Sequence, residues 1–186
     1  MKFQLLLIFM LFSIVGVFAQ QDSVKLKNGY FFGVGIAVGT GSQNGVYVMA
    51  HIQVQHSTSY LALKGSSFVV LDILGDEPTP SVSDVSLIVG KSYTFGGIHN
   101  FQIGSGLSSV TIVSRGALLP CKSCGWFESN KYETITKNVI GLPIEAKYNL
   151  YSYRRRGTIS FSLNANLNKE QSYFGAAIGL IAGRLR

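Results

Sequence analysis

Four charged side chains invite a chemical reading because each falls in a segment where polar or small residues alternate with apolar ones: Lys64, Asp84, Glu145 and Lys147. In an extended strand such alternation puts them on the polar face, and in a closed sheet all four would look inward. Buried charges persist only when paired and hydrogen-bonded. The expectation is a salt-bridged cluster across a lumen, with a polar path for protons or small solutes as the alternative. Cys121-Lys122-Ser123-Cys124 is the one short cysteine motif. Thioredoxin-like chemistry wants such a pair at a helix start in a βαβ setting, and zinc wants two further ligands. The sequence places neither nearby. In an exported chain a local disulfide between Cys121 and Cys124 is the leading reading, with free thiols or a metal or redox role left open. Trp126 and Phe127 follow directly, as candidates for contact with lipid or a ligand, or for a cluster folded back on its own loop.

Three histidines complete the inventory. His51 falls on a polar strand face, whereas His56 and His99 fall in expected turns. A Ser-His-acid relay is recognised by geometry, and no spacing sets such a set apart in this chain. No catalytic residue, cofactor or metal ligand is assigned. Tyr153-Arg154-Arg155-Arg156 is a basic turn that could meet phosphate. Gly33-Val34-Gly35 and Gly104-Ser105-Gly106 lie inside strands with no helix after them, so they are not phosphate loops.

The elements that would hold these residues share one pattern, a period of two. Segments Tyr30–Thr40, Val46–Gln55, Ser59–Leu71, Val82–Phe95, Asn100–Ser114, Thr134–Leu150, Thr158–Asn168 and Ser172–Arg184 each alternate. The seventh is the clearest, with Ile159, Phe161, Leu163, Ala165 and Leu167 set against Ser160, Ser162, Asn164 and Asn166. In the fifth the phase blurs after Leu107, which suggests a bulge, and Pro143 suggests another in the sixth.

The second face is made of Gly, Ala, Ser, Thr, Asn and Gln rather than the Lys, Glu, Asp and Arg of a soluble surface. Such residues suit the narrow interior of a small barrel, and the apolar face then meets lipid. Tyr and Phe near strand ends (Tyr30, Phe32, Tyr60, Tyr93, Phe95, Phe101, Tyr148, Tyr151, Tyr153, Tyr173 and Phe174) are expected as interfacial girdles. With both termini on the periplasmic side, odd connections face outward and are usually longer. The long stretches Asp72–Ser81 and Arg115–Glu133 fall in the third and fifth connections, as that arrangement requires.

Composition agrees. Charged residues are 13% of the chain, against about 25% in soluble domains. The opening, Met1-Lys2 followed by an apolar run to Phe18 and the small residue Ala19, has the parts of a secretory signal peptide. Residues 1–19 are expected to be removed near Ala19, leaving one barrel domain over 20–186. The formal net charge of +7 would suit anionic lipid phosphate, and export argues against nucleic acid as the partner.

The stretches Asp84-Val85-Ser86-Leu87-Ile88-Val89-Gly90-Lys91-Ser92-Tyr93, Gly141-Leu142-Pro143-Ile144-Glu145-Ala146, and the tail from Asn168 to Arg186 carry a resemblance. They are similar to the small eight-stranded outer-membrane barrels, in particular to a Bacteroidetes-type group without an established activity. The expectation is an all-β, eight-stranded antiparallel up-and-down transmembrane barrel in the cell outer membrane. Its lumen would be plugged, its partners outer-membrane lipid and an extracellular ligand or protein. A lipid-modifying enzyme on the same barrel and a soluble lipocalin-like ligand carrier are the alternatives.

Overall fold

The computed structural model describes residues 30–43, 45–69, 77–120, 131–151 and 157–184. It contains eight strands, β1 (Tyr30–Gly41), β2 (Val46–His56), β3 (Ser59–Val69), β4 (Ser81–Phe95), β5 (His99–Leu118), β6 (Tyr132–Tyr151), β7 (Gly157–Asn168) and β8 (Tyr173–Arg184). Each pairs antiparallel with the next, and β8 closes onto β1. The chain is an eight-stranded up-and-down transmembrane β-barrel.

Register sets its size. A lap of facing partners starting at Phe31 runs through Gln55, Tyr60, Gly90, Gly104, Glu145, Asn164 and Gly175 and returns to β1 at Gly41, ten residues further along. With eight strands about 4.8 Å apart, that stagger tilts them by about 40° and puts the backbone about 8 Å from the axis. An interior so narrow holds side chains and little else.

The two faces separate as the alternation demands. Ile36, Val89, Ile140 and Leu163 are 66%, 60%, 80% and 64% exposed on the outside. On β6 the outward set runs from Ile140 to Leu150; at about 3.3 Å per residue and this tilt, it stands about 25 Å tall, the height of a lipid-facing band. A soluble lipocalin-like carrier would turn that face inward, so the structure removes that alternative.

Inside, large side chains rest on glycines of neighbouring strands. A Cβ added at Gly104 would lie 2.3 Å from the Tyr60 hydroxyl, and one at Gly90 2.5 Å from the Tyr60 ring. Gly35 seats His51, Gly175 seats Tyr47 and Gly41 seats Phe68 in the same manner.

Four sequence expectations are corrected. The β4–β5 register is continuous through Leu107, so there is no bulge there. The phase blurs because inward positions Val110 and Ile112 are apolar, joining a buried cluster with Tyr47, Phe68, Val82 and Tyr173. The shift in β5 lies between Arg115 and Leu118. Pro143 causes no register shift; the β5–β6 ladder only opens between Ser105–Ile144 and Ser108–Gly141, where proline has no N–H to give. Tyr60, Tyr151 and Tyr173 leave the expected girdle for the interior, being 4%, 7% and 5% exposed. Finally, Arg115–Leu118 and Tyr132–Glu133, expected at the two ends of the fifth loop, belong to β5 and β6. Tyr153 and the side chain of Tyr30 lie outside the described residues.

Gly104→Ala is expected to lower stability by about 1–3 kcal/mol through overpacking, with Tyr60→Phe on the same chain recovering part of the loss. Denaturant unfolding of the detergent-folded barrel measures both, and an unchanged midpoint for Gly104→Ala would contradict the seat.

Candidate functional site

The interior reads in layers from the turn end, where connections are short, to the loop end. At the turn end Asn100 ties β5 to its neighbours, donating to Ser92 Oγ at 2.7 Å and Thr94 Oγ1 at 2.9 Å. Asn149 on β6 donates to Asn100 Oδ1 at 3.0 Å. Above them Gln102 donates to Gln55 across the barrel at 3.3 Å.

The middle layer holds the charges. Glu145 on β6 takes Lys147 Nζ on one carboxylate oxygen at 3.0 Å and Lys64 Nζ, reaching across from β3, on the other at 3.4 Å. All three side chains are buried. Two cations on one carboxylate need further acceptors, and the polar face supplies them. Lys64 donates to Asn164 Oδ1 at 2.8 Å and Lys147 to Gln53 Oε1 at 3.3 Å. The Tyr60 ring lies 6.0 Å from the Lys147 ammonium, and its hydroxyl donates to Glu145 at 3.4 Å. Four strands, β2, β3, β6 and β7, thus join one network, with β3 and β6 meeting at the carboxylate itself.

Asp84 does not join them. It lies a layer nearer the loop end, accepting from Ser66 and Ser86 and, at 3.5 Å, from Asn166. Asn166 also donates to Ser108 at 2.8 Å. The expected single cluster of four charges is therefore a triad plus a separate carboxylate held by hydroxyl and amide donors. Sequence alternation gives the face of Asp84 but not its height, and the stagger decides which charges share a level.

Beyond Asp84 an apolar and aromatic layer fills the loop end. Tyr47 and Phe68 pack with ring centroids 4.9 Å apart, and Phe68 meets Tyr173 edge-on at 5.5 Å. Sequence reasoning missed this layer. Its signal was present in the run of large residues at inward positions, Tyr47, Phe68, Val82, Val110 and Ile112, all at strand ends nearest the odd connections.

The remaining candidates separate. His51 is buried against Gly35, and neither ring nitrogen has a hydrogen-bond partner among the described residues. No Ser-His-acid relay is assembled at it among the described residues. His99 sits at the start of β5 on the outside, its Nδ1 2.7 Å from the Tyr148 hydroxyl and its ring stacked on Phe95. No group of His, Cys, Asp and Glu among the described residues could hold a metal ion. Cys121, Cys124, Trp126 and Phe127 lie outside the described residues, as does the basic turn at 152–156.

No family model matches the chain, and no curated protein matches it. Solved structures do. The N-terminal β-barrel domain of Pseudomonas aeruginosa OprF aligns with 81% of this chain and 96% of its own, at 14% identity and a TM-score of 0.55. Neisserial surface protein A aligns over 82% and 96%, at 8% identity and 0.56. Ail, the attachment invasion locus protein of Yersinia pestis, aligns over 84% and 99%, at 8% identity and 0.56. The fold is that of the small outer-membrane β-barrels. At these identities the likeness concerns the fold alone, and the interior of this barrel has to be read from its own residues.

Glu145→Leu leaves two buried ammonium groups without their carboxylate and is expected to cost about 3–5 kcal/mol. Removing the whole triad, with Lys64→Met and Lys147→Met added, is expected to recover most of that loss. Urea titrations of the variants folded into vesicles check this; equal midpoints for Glu145→Leu and the unmodified barrel would contradict it.

Proposed function

We propose that this chain is a non-enzymatic outer-membrane barrel whose lumen is plugged and whose work is done by its outward-facing end. The observation that carries the reading is the double obstruction of an already narrow interior. The triad of Lys64, Glu145 and Lys147 spans the middle, and the Tyr47–Phe68–Tyr173 layer fills the loop end. Moving the ammonium groups or the packed rings aside would cost them the contacts they make with one another, so solute passage is disfavoured. The role that remains is structural or surface-binding, through the loops.

Several assignments follow as part of this reading. Residues 1–19 act as a signal peptide cut near Ala19, and residues 20–186 form the barrel domain. The loop end faces the exterior and the turn end the periplasm. Outer-membrane lipid meets the apolar belt, an extracellular ligand or protein meets the loops, and nucleic acid is not a partner. Cys121 and Cys124 close a small disulfide that stiffens the fifth connection, and Trp126 and Phe127 offer a contact surface beside it. The chain's place is with the Bacteroidetes-type group named above. That the Ail structure was also solved with the heparin analogue sucrose octasulfate is a case of a barrel of this shape taking a ligand, and it supports a surface role.

Cell fractionation, then electrophoresis with and without boiling, tests the membrane placement. The expected result is an outer-membrane band whose mobility shifts on heating. In planar bilayers the purified barrel is expected to give no current. A soluble periplasmic band would overturn the placement, and discrete current steps would overturn the plug.

A further inference from the structure

We propose that Lys91 and the β2–β3 turn beside it form a headgroup site for an anionic phospholipid in the leaflet at the turn end. The lysine takes the phosphate, and the hydroxyls of the turn take the headgroup alcohols. The inference deepens the reading of outer-membrane lipid as a partner and rests on it. Among the described side chains, Lys91 is the only Lys, Arg, Asp or Glu on the outer face between the levels of Leu150 and Ile140. That span is the lipid-facing band, where a charge is costly at mid-depth and tolerated only near an interface.

The register fixes where Lys91 stands. It faces Ser59 on β3 and Ile103 on β5. One step toward the loop end on the same face, Val89 faces Leu61, and both are exposed apolar side chains. One step toward the turn end, Tyr93 opens a row of facing aromatics that continues through Phe101, Tyr148 and Phe161. The lysine thus lies where the apolar belt gives way to the aromatic one, the depth of lipid headgroups.

Its contacts within the chain leave it incomplete. The ammonium donates to Ser59 Oγ at 3.1 Å, and no carboxylate among the described residues comes within ion-pair reach of it. A side chain that snorkels in this way lays its methylenes on the apolar face and turns its charge to the interface. Two of its three N–H groups remain for an outside acceptor. At that depth the anionic acceptor is a lipid phosphate, since a periplasmic protein would have to enter the leaflet to reach it.

The turn supplies the rest of the site. Ser57, Thr58 and Ser59 are all exposed. Ser92 N–H donates to the Thr58 carbonyl at 2.8 Å, carrying the β3–β4 ladder one step past Ser59 and Lys91. From the lumen side, Gln55 Nε2 donates to the Ser57 carbonyl at 3.2 Å. The turn is therefore held from both sides, and its hydroxyls need no further ordering to meet a ligand. A phosphate bearing a glycerol headgroup matches an ammonium beside a row of hydroxyls. A choline headgroup brings its own cation, which competes for the phosphate and finds no carboxylate here.

Fluorescence of single-tryptophan barrels in mixed vesicles tests the site, after the heat shift has verified that each variant is folded. Trp126→Phe is combined with Ile103→Trp, beside Lys91, or with Phe161→Trp, on the far side of the same leaflet. The vesicles are phosphatidylcholine with a fixed minor fraction of brominated phosphatidylglycerol or brominated phosphatidylcholine. At Ile103 the brominated phosphatidylglycerol is expected to associate about three- to fivefold more strongly. At Phe161 the two lipids are expected to quench alike. Lys91→Gln is expected to remove the preference at Ile103, and Lys91→Arg to keep it. Equal quenching at Ile103, or a preference that survives Lys91→Gln, would overturn the proposal. A preference of the same size at Phe161 would overturn it in favour of diffuse attraction by the net positive charge. Failure of either lipid to quench at both positions would instead overturn the lipid-facing reading on which the site rests.

Discussion

Closure of the hydrogen-bond ladder is the constraint from which the rest of this structure descends. In lipid a strand cannot leave its backbone groups unpaired, so the sheet must return to its first strand. Eight strands with a stagger of ten residues fix both tilt and radius, and the radius in turn fixes how much side chain the interior can hold. The glycines beneath Tyr47, Tyr60 and Phe68 answer that limit directly. Each gives up a side chain so that a neighbour's ring can lie across the axis.

The same limit governs the interior charges. Lys64, Glu145 and Lys147 are costly to bury, and the barrel offers each of them a fixed set of polar neighbours on facing strands. Because those neighbours come from β2, β3, β6 and β7, the triad links opposite walls that share no ladder. It works as a cross-brace, and in the proposed reading it closes the lumen together with the aromatic layer at the loop end.

Much of this was legible before any coordinates. Period-two alternation located all eight strands and assigned their faces, because a half-lipid, half-lumen environment imposes one periodicity on every segment. It failed where one side chain serves two environments equally well. Tyr60, Tyr151 and Tyr173 were expected at the interface, since a tyrosine near a strand end suits a girdle as readily as a lumen end. Val110 and Ile112 disguised an unbroken stretch of β5 as a bulged one, because inward positions there are apolar. Asp84 was grouped with charges one layer away, since height along the axis depends on stagger, which pattern alone does not carry. Pro143 suggested a bulge, but a missing N–H on the β5 side opens the ladder without shifting it. Only the last residues of the β5–β6 hairpin, Arg115–Leu118 and Tyr132–Glu133, read as loop, since Gly116 and the register shift beside it break the alternation there.

The central claim is that the alternating apolar face meets lipid while the hairpin above it meets water. Its most direct test uses single-tryptophan barrels in vesicles whose acyl chains carry bromine, a contact quencher. With Trp126 replaced by Phe, one tryptophan is placed at Phe101, Ile144, Phe161, Leu180 or Thr134. Strong quenching is expected at the first four positions and none at Thr134. Fluorescence untouched by bromine at Phe101, Ile144, Phe161 and Leu180 would contradict it.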